Sequence, residues 1–254
     1  MNILFTICGR AGSKGFKNKN LKKMNGVPLV YYTLAAIKGF SDQYTNGQIR
    51  IAVNTDSKEL VDTVAKQSEI TDVMFIDRKP ELAGDVIAKV EVIKDTYFQA
   101  QKDFVTDVVV DVDITSPMRT IADLKEIIRV YQSNMKYDLV YSVVESRRNP
   151  YFNMVEAKVD GGYRKVCASN FTARQQAPAC YELNASIYAY RPEFLAGEIT
   201  KTILDYNCGI SLMKDYLVLD IDSEEDFLMM NMLHTYYCKV DEGISEVYEI
   251  AKRF

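Results

Sequence analysis

Over about 140 residues, short apolar runs alternate with longer stretches in which apolar positions recur every third or fourth residue. Residues 2–8 form an apolar run that ends in a glycine-rich loop, and Pro28 opens a stretch, 29–37, with apolar residues on successive turns, so the order is strand, loop, helix. Residues 49–53 predict a second strand, ending at Asn54-Thr55-Asp56. Ser57 then caps a helix that runs to about Ser68, with Leu60, Val61, Val64 and Ala65 on one face. The alternation repeats as a strand over 73–76, a helix over 85–101, a buried strand over 108–112, a helix over 121–131 and a strand over 139–143. This rhythm predicts an α/β fold whose mostly parallel sheet is covered on both faces.

The rhythm breaks after Ser146. Residues 155–159 and 163–166 flank Asp160-Gly161-Gly162, a turn suited to a β-hairpin. Such an insertion is either a plain surface hairpin or an arm that packs on a second subunit, for which Tyr151 and Phe152 are suited. Strands over 186–190 and 216–221 and a helix from Ser223 to about Tyr237 follow. One domain spanning 1–254 is expected, with 146–170 as the arm.

Composition narrows the partners. A formal net charge of −4 argues against a general nucleic-acid binder, which needs Lys and Arg spread over a broad surface. Five scattered cysteines without a CxxC pair read as reduced thiols. Residues 1–8 show no export signal, and no apolar run approaches the ~20 residues that cross a bilayer, so a cytoplasmic protein without membrane insertion is expected.

The first loop, Gly9-Arg10-Ala11-Gly12-Ser13-Lys14-Gly15-Phe16-Lys17-Asn18-Lys19-Asn20, continues to Lys22 and Lys23 and contains six basic residues and no acid. Such a cluster repels itself unless an anion sits on it, and its glycines let backbone N–H groups approach phosphate oxygens. A solvated basic turn is the plain alternative. The loop's place at the carboxyl end of a first strand favours phosphate. Glycines at 9, 12 and 15 fit neither the GxGxxG nor the GxxxxGK[ST] spacing. Two acidic pairs, Asp111-Val112-Asp113 and Asp220-Ile221-Asp222, stand at predicted strand ends, where residues two apart share a side, so either is able to hold a divalent cation. The single histidine, His234, falls in a helical pattern among Met229, Met230, Met232 and Leu233 and reads as a packing residue.

The segment GRAGSKGFKNKNLKKMNGVPLVYYT resembles the CMP-sialic acid synthetase family, cytidylyltransferases that activate nine-carbon keto acids. Similar segments follow in order: Asn54-Thr55-Asp56, residues 78–85, Thr115-Ser116-Pro117-Met118-Arg119, residues 174–178, Asn184-Ala185-Ser186-Ile187-Tyr188 and Asp220-Ile221-Asp222. The resemblance implies a three-layer αβα fold of the nucleotide-diphospho-sugar transferase type with a hairpin arm that makes a homodimer. It implies CTP as co-substrate and Mg2+ as cofactor. Arg10, Gly12, Ser13, Lys14 and Lys19 would bind the phosphates, Asn20 and Arg78 the ribose or base, and Asp220 and Asp222 the metal. Arg10, Lys14, Lys19 and Asp222 would act in catalysis, and Asp113, Thr115, Gln175, Tyr181 and Asn184 would take the sugar.

Two departures bear on that sugar. Asp113-Ile114 stands where sialate enzymes read Gln-Pro, and Glu182-Leu183 where they read Arg-Pro. With Asn149-Pro150-Tyr151-Phe152, these look more like the branch that activates legionaminic acid than like the N-acetylneuraminate enzymes. A metal-dependent glycosyltransferase and a non-enzymatic nucleotide-binding protein are the rivals. The lysine-rich loop counts against the first, which has no triphosphate to hold.

Overall fold

The computed structural model describes residues 1–12, 16–84 and 86–254. Eleven strands are found among them: β1 (Ile3–Cys8), β2 (Lys23–Met24), β3 (Val27–Pro28), β4 (Ile49–Thr55), β5 (Met74–Asp77), β6 (Val108–Val112), β7 (Leu139–Glu145), β8 (Val155–Ala157), β9 (Tyr163–Lys165), β10 (Tyr181–Tyr190) and β11 (Cys208–Leu212). The α-helices are α1 (Leu29–Ser41), α2 (Lys58–Ala65), α3 (Lys89–Ala100), α4 (Ile121–Ser133), α5 (Pro192–Ala196), α6 (Glu224–Val240) and α7 (Glu242–Ala251).

Seven strands form one sheet in the order β11-β7-β10-β6-β1-β4-β5, parallel at every pairing except those of β10, which is antiparallel to both β6 and β7. Period-two alternation divides the core. Ile3, Phe5 and Ile7 of β1 and Val108, Val110 and Val112 of β6 pack with α1, α2, α4, α6 and α7, whereas Leu4 and Val109 pack with α3 and α5. Helices thus cover both faces, and β6 is buried along its whole length. After β1 the chain builds outward through β4 and β5, then returns to lay β6 on β1's other side. The strand order reverses there, and a crevice opens at the carboxyl ends of β1 and β6.

Several predicted boundaries shift. Residues 216–221 are not a strand: a 3-10 turn, Asp215–Leu217, leads into an extended segment held by the Ile221 N–H on the Thr115 carbonyl, 3.0 Å. The sheet edge is β11 instead, whose Cys-Gly-Ile-Ser-Leu sequence has little strand signal. Gly209 is required because a Cβ there would lie 2.7 Å from the Tyr137 ring. Helix α3 begins at Lys89, and the expected start at Asp85 lies outside the described residues. Strand β10 is longer than 186–190, with an irregularity between Leu183 and Tyr188 where Ala185 takes φ 52°. The expected hairpin forms as β8 and β9, and the expected helix from Ser223 forms as α6, with Ser223 as its cap in a reciprocal box with Asp226.

His234 is 1% exposed on α6, with the Tyr32 and Tyr248 rings each edge-on at 5.0 Å. Asn25 donates from Nδ2 to its Nδ1 at 2.7 Å, pinning the β2–β3 turn to α6. Burial pushes the imidazole down to about 4, so it is neutral at pH 7 and able to accept that bond. Between about 6.5, the ordinary histidine value, and about 4, the unfolded chain holds a proton that the folded chain refuses, so stability falls as pH drops through this window. At about 1.4 kcal/mol per pH unit the loss is ~3 kcal/mol. Urea denaturation at pH 7 and pH 4.5 should show most of it, and His234→Gln should flatten that component of the pH dependence.

Candidate active site

A cavity of about 450 Å3 occupies the crevice between β1 and β6, lined by Cys8, Arg10, Lys19, Asn20, Arg78, Lys89, Asp113, Thr115 and Asp222 among others. The loop after β1 starts at Gly9, whose N–H donates to the Asn54 carbonyl at 3.2 Å. A Cβ at Gly9 would lie 2.7 Å from Leu60 and 2.9 Å from Ile114, so only glycine lets the loop leave the sheet here. Gly12 adopts φ 69° with open space around it. The Ala11 N–H donates to Asp56 at 2.7 Å, and Asn20 Nδ2 to the Arg10 carbonyl at 3.3 Å. Ser13 and Lys14, expected phosphate ligands, lie outside the described residues.

Arg78 is buried and donates from Nε and Nη2 to the Asn54 side chain and carbonyl, both at 3.0 Å. Burial lowers its pKa from the ordinary arginine value. Lys19 Nζ bonds the Ile221 carbonyl at 2.8 Å and pairs with Asp222 at 2.9 Å. One of the expected phosphate lysines therefore meets one of the expected metal carboxylates across the mouth of the cavity.

The two acidic pairs differ. Asp111 and Asp113 do share a side, but a lysine lies between them: Lys89 Nζ is 2.7 Å from Asp111 and in direct contact with Asp113. Asp111 is fully enclosed and accepts from Thr6 Oγ1 at 2.8 Å. Burial opposes the Asp113 charge, yet Lys89 and the Thr115 N–H and hydroxyl outweigh it and hold the carboxyl below the usual range. The second pair lies on the segment leading to α6 rather than on a strand. Asp220 accepts from the Ile221 N–H at 2.9 Å, and burial together with nearby Asp113 raises its pKa. A cation at Asp220 would relieve that strain, and one or two carboxylates suffice for magnesium when substrate phosphates complete the shell. Among the described residues no group of three or more His, Cys, Asp or Glu is placed to hold a metal.

Of the expected sugar residues, Asp113 and Thr115 line this cavity. Asn184 is 1% exposed, and its amide is used internally: it accepts from Ser142 Oγ at 2.6 Å and donates to the Leu217 carbonyl at 3.1 Å, fixing the β10 irregularity. Gln175 is exposed on a 3-10 turn. Tyr181 lines a separate cleft of about 590 Å3 beside the arm, with Arg148, Cys180 and Glu182.

Two further residues shape the site, Arg119 from a family-like segment and Lys89 without such a signal. Arg119 is fully buried and donates to Ser186 Oγ at 3.1 Å, to Thr33 Oγ1 at 3.0 Å and to the carbonyls of Asp113 and Ser116. Lys89 opens a helix, where the macrodipole disfavours a cation.

Residues 4–228 match the model of a family described as cytidylyltransferase. The chain belongs to the cytidylyltransferase family. It is 34% identical over 235 residues to the CMP-N,N'-diacetyllegionaminic acid synthase of Campylobacter jejuni, covering 91% of this chain and 94% of that one. The post-translational flagellin modification protein B of Campylobacter coli is similar at the same identity and coverage. An N-acylneuraminate cytidylyltransferase of Streptococcus agalactiae is 30% identical over 90% of this chain but only 52% of its own length. Among solved structures, a CMP:2-keto-3-deoxy-manno-octonic acid synthetase complexed with CTP superposes with a TM-score of 0.65 at 13% identity, covering 93% of this chain and 99% of that one, which bears on the fold alone.

Arg119 fixes the strap from Asp113 to Ser116 in this cytidylyltransferase. Arg119→Met strands several buried acceptors and should cost about 3 kcal/mol or more, read as a lower urea midpoint.

Proposed function

We propose that this cytidylyltransferase is a cytoplasmic, magnesium-dependent enzyme that transfers CMP from CTP to the anomeric hydroxyl of N,N'-diacetyllegionaminic acid or a close nine-carbon relative, releasing pyrophosphate, and that it works as a homodimer. The observation that carries the reading is the cavity where the strand order reverses, lined by the cations of Arg10, Lys19 and Arg78 and by the carboxylates of Asp113 and Asp222. In-line attack by the sugar hydroxyl on the α-phosphorus builds charge on the oxygen that joins it to the leaving pyrophosphate. Arg10, Lys14 and Lys19 oppose that charge, so the protein's share of catalysis is positioning and electrostatics. Gly12 and Ser13 bring the loop backbone to the phosphates, and Asn20 and Arg78 face the nucleoside. Asp220 and Asp222 would hold the magnesium, which neutralises triphosphate charge when bound. Lys19 releases Asp222 as it takes up phosphate. The sugar lies over Asp113 and Thr115 and extends toward the cleft of Tyr181 and Gln175, with Asn184 shaping the strand between them.

The test is pyrophosphate release with CTP, Mg2+ and a panel of nine-carbon keto acids that includes N-acetylneuraminate. Turnover should be fastest with the diacetyl sugar, and no pyrophosphate from any of them sinks the reading. In the same assay Asp222→Asn should raise the Mg2+ needed for half-maximal rate about tenfold or more. An unchanged requirement removes Asp222 from the metal site.

The homodimer rests on the arm, residues 146–170, whose Val155, Val159 and Tyr163 are 64%, 110% and 75% exposed. Light scattering should give twice the 29.0 kDa of the chain, and Val159→Asp with Tyr163→Asp should give the monomer mass. A monomeric wild type removes this part of the proposal.

A further inference from the structure

Lys89 Nζ lies between Asp111 and Asp113 at the floor of the cavity, and its side chain is 35% exposed to it. The carboxylates it touches are less available than it is. Asp111 is sealed, and Asp113 Oδ1 already accepts from the Thr115 N–H at 2.8 Å and the Thr115 hydroxyl at 2.7 Å, while Oδ2 accepts from Lys89. An ammonium has three N–H donors and no acceptor, and among the described residues the two carboxylates are its partners. The lysine, not the aspartate, is thus the group of this trio able to offer a bond to a ligand.

We propose that Lys89 is the donor that fixes the sugar in the cavity, with Asp113 as its anchor. This rests on the cytidylyltransferase reading above. The two carboxylates hold the ammonium in place, and its third N–H is left for a sugar oxygen. The pair also explains how an acid fits a site that must grip a polyol. An amide offers donors and an acceptor in one group, whereas an ionised aspartate offers acceptors only. Lys89 returns the missing donor, and because it is clamped by two carboxylates it loses little freedom when it binds.

The experiment is steady-state kinetics on the full chain at saturating CTP, with N,N'-diacetyllegionaminate and N-acetylneuraminate, for Lys89→Met and for Lys89→Met with Asp113→Gln. Lys89→Met should lower kcat/KM for the sugar about thirtyfold or more, mainly through KM, with KM for CTP within about twofold of wild type. The double variant, which restores an amide donor and removes one of the two charges stranded by the loss of Lys89, should recover about tenfold or more. A greater loss on the diacetyl sugar identifies the target as the carbonyl of its additional acylamido group, and equal losses identify an oxygen common to both sugars. Where Lys89→Met does not fold, the double variant carries the test: activity within about tenfold of wild type is expected, and a hundredfold loss overturns the assignment. An unchanged sugar KM, a parallel rise in KM for CTP, or a double variant no better than the single also overturns it. A wild type inactive with every sugar brings down the parent reading instead, and this one with it.

Discussion

The site depends on one enclosed cation, Arg119. Its guanidinium joins α1 through Thr33, β10 through Ser186 and the chain leaving β6 through the carbonyls of Asp113 and Ser116. A planar head with five donors in fixed directions is suited to such a junction, and a lysine is not. Burial lowers its pKa to about 10, which still leaves it charged at neutral pH. Because the strap from Asp113 to Ser116 is fixed there, Thr115 is in place to accept Ile221, and the segment carrying Asp220 and Asp222 is drawn to the same sheet edge. The carboxylates are thereby positioned by a residue that lies outside the cavity lining.

Charge in the crevice is balanced internally before any ligand arrives. Lys19 faces Asp222, and Lys89 faces Asp111 and Asp113. The two arrangements have different consequences. Asp222 is 78% exposed in its side chain, so its pair with Lys19 is screened by water and easily exchanged for a phosphate and a cation. Lys89 lies against a carboxylate with no exposure at all, and breaking that contact would leave a buried charge unpaired. The outer pair suits groups that change partners during a reaction, and the inner one suits groups that must not.

The layered α/β architecture was legible because strands buried on both faces read as continuous apolar runs, as Val108–Val112 does. The first loop was legible because its charge made little sense without an anion. Strand β11 was not, since a short edge strand with glycine and serine has almost no local signal and is fixed by pairing with β7 and by Tyr137. Helix α7 had a signal that went unused, with Asp241 as cap and Ile244, Val247 and Ala251 on its buried face. Asn184 shows what a motif leaves unsaid. Its motif drew attention to it as a sugar contact, whereas its amide serves the backbone irregularity beside it. Sequence order fixes the alternation of faces along a strand, but whether the facing partner is solvent, ligand or a lysine such as Lys89 is decided by packing.

The antiparallel strand of the seven-stranded sheet has a topological effect. Since β10 runs against β7, with Tyr181 opposite Glu145, residues 146–180 leave and re-enter the sheet at neighbouring points, as the tip of a very long hairpin would. A parallel return would have needed a crossover whose length was set by the sheet. Here the excursion is closed at its base and open in length, so residues can be gained or lost in it at a small entropic cost without moving any strand by one register position. The excursion can thus drift in length between lineages while the strap that Arg119 holds stays in place.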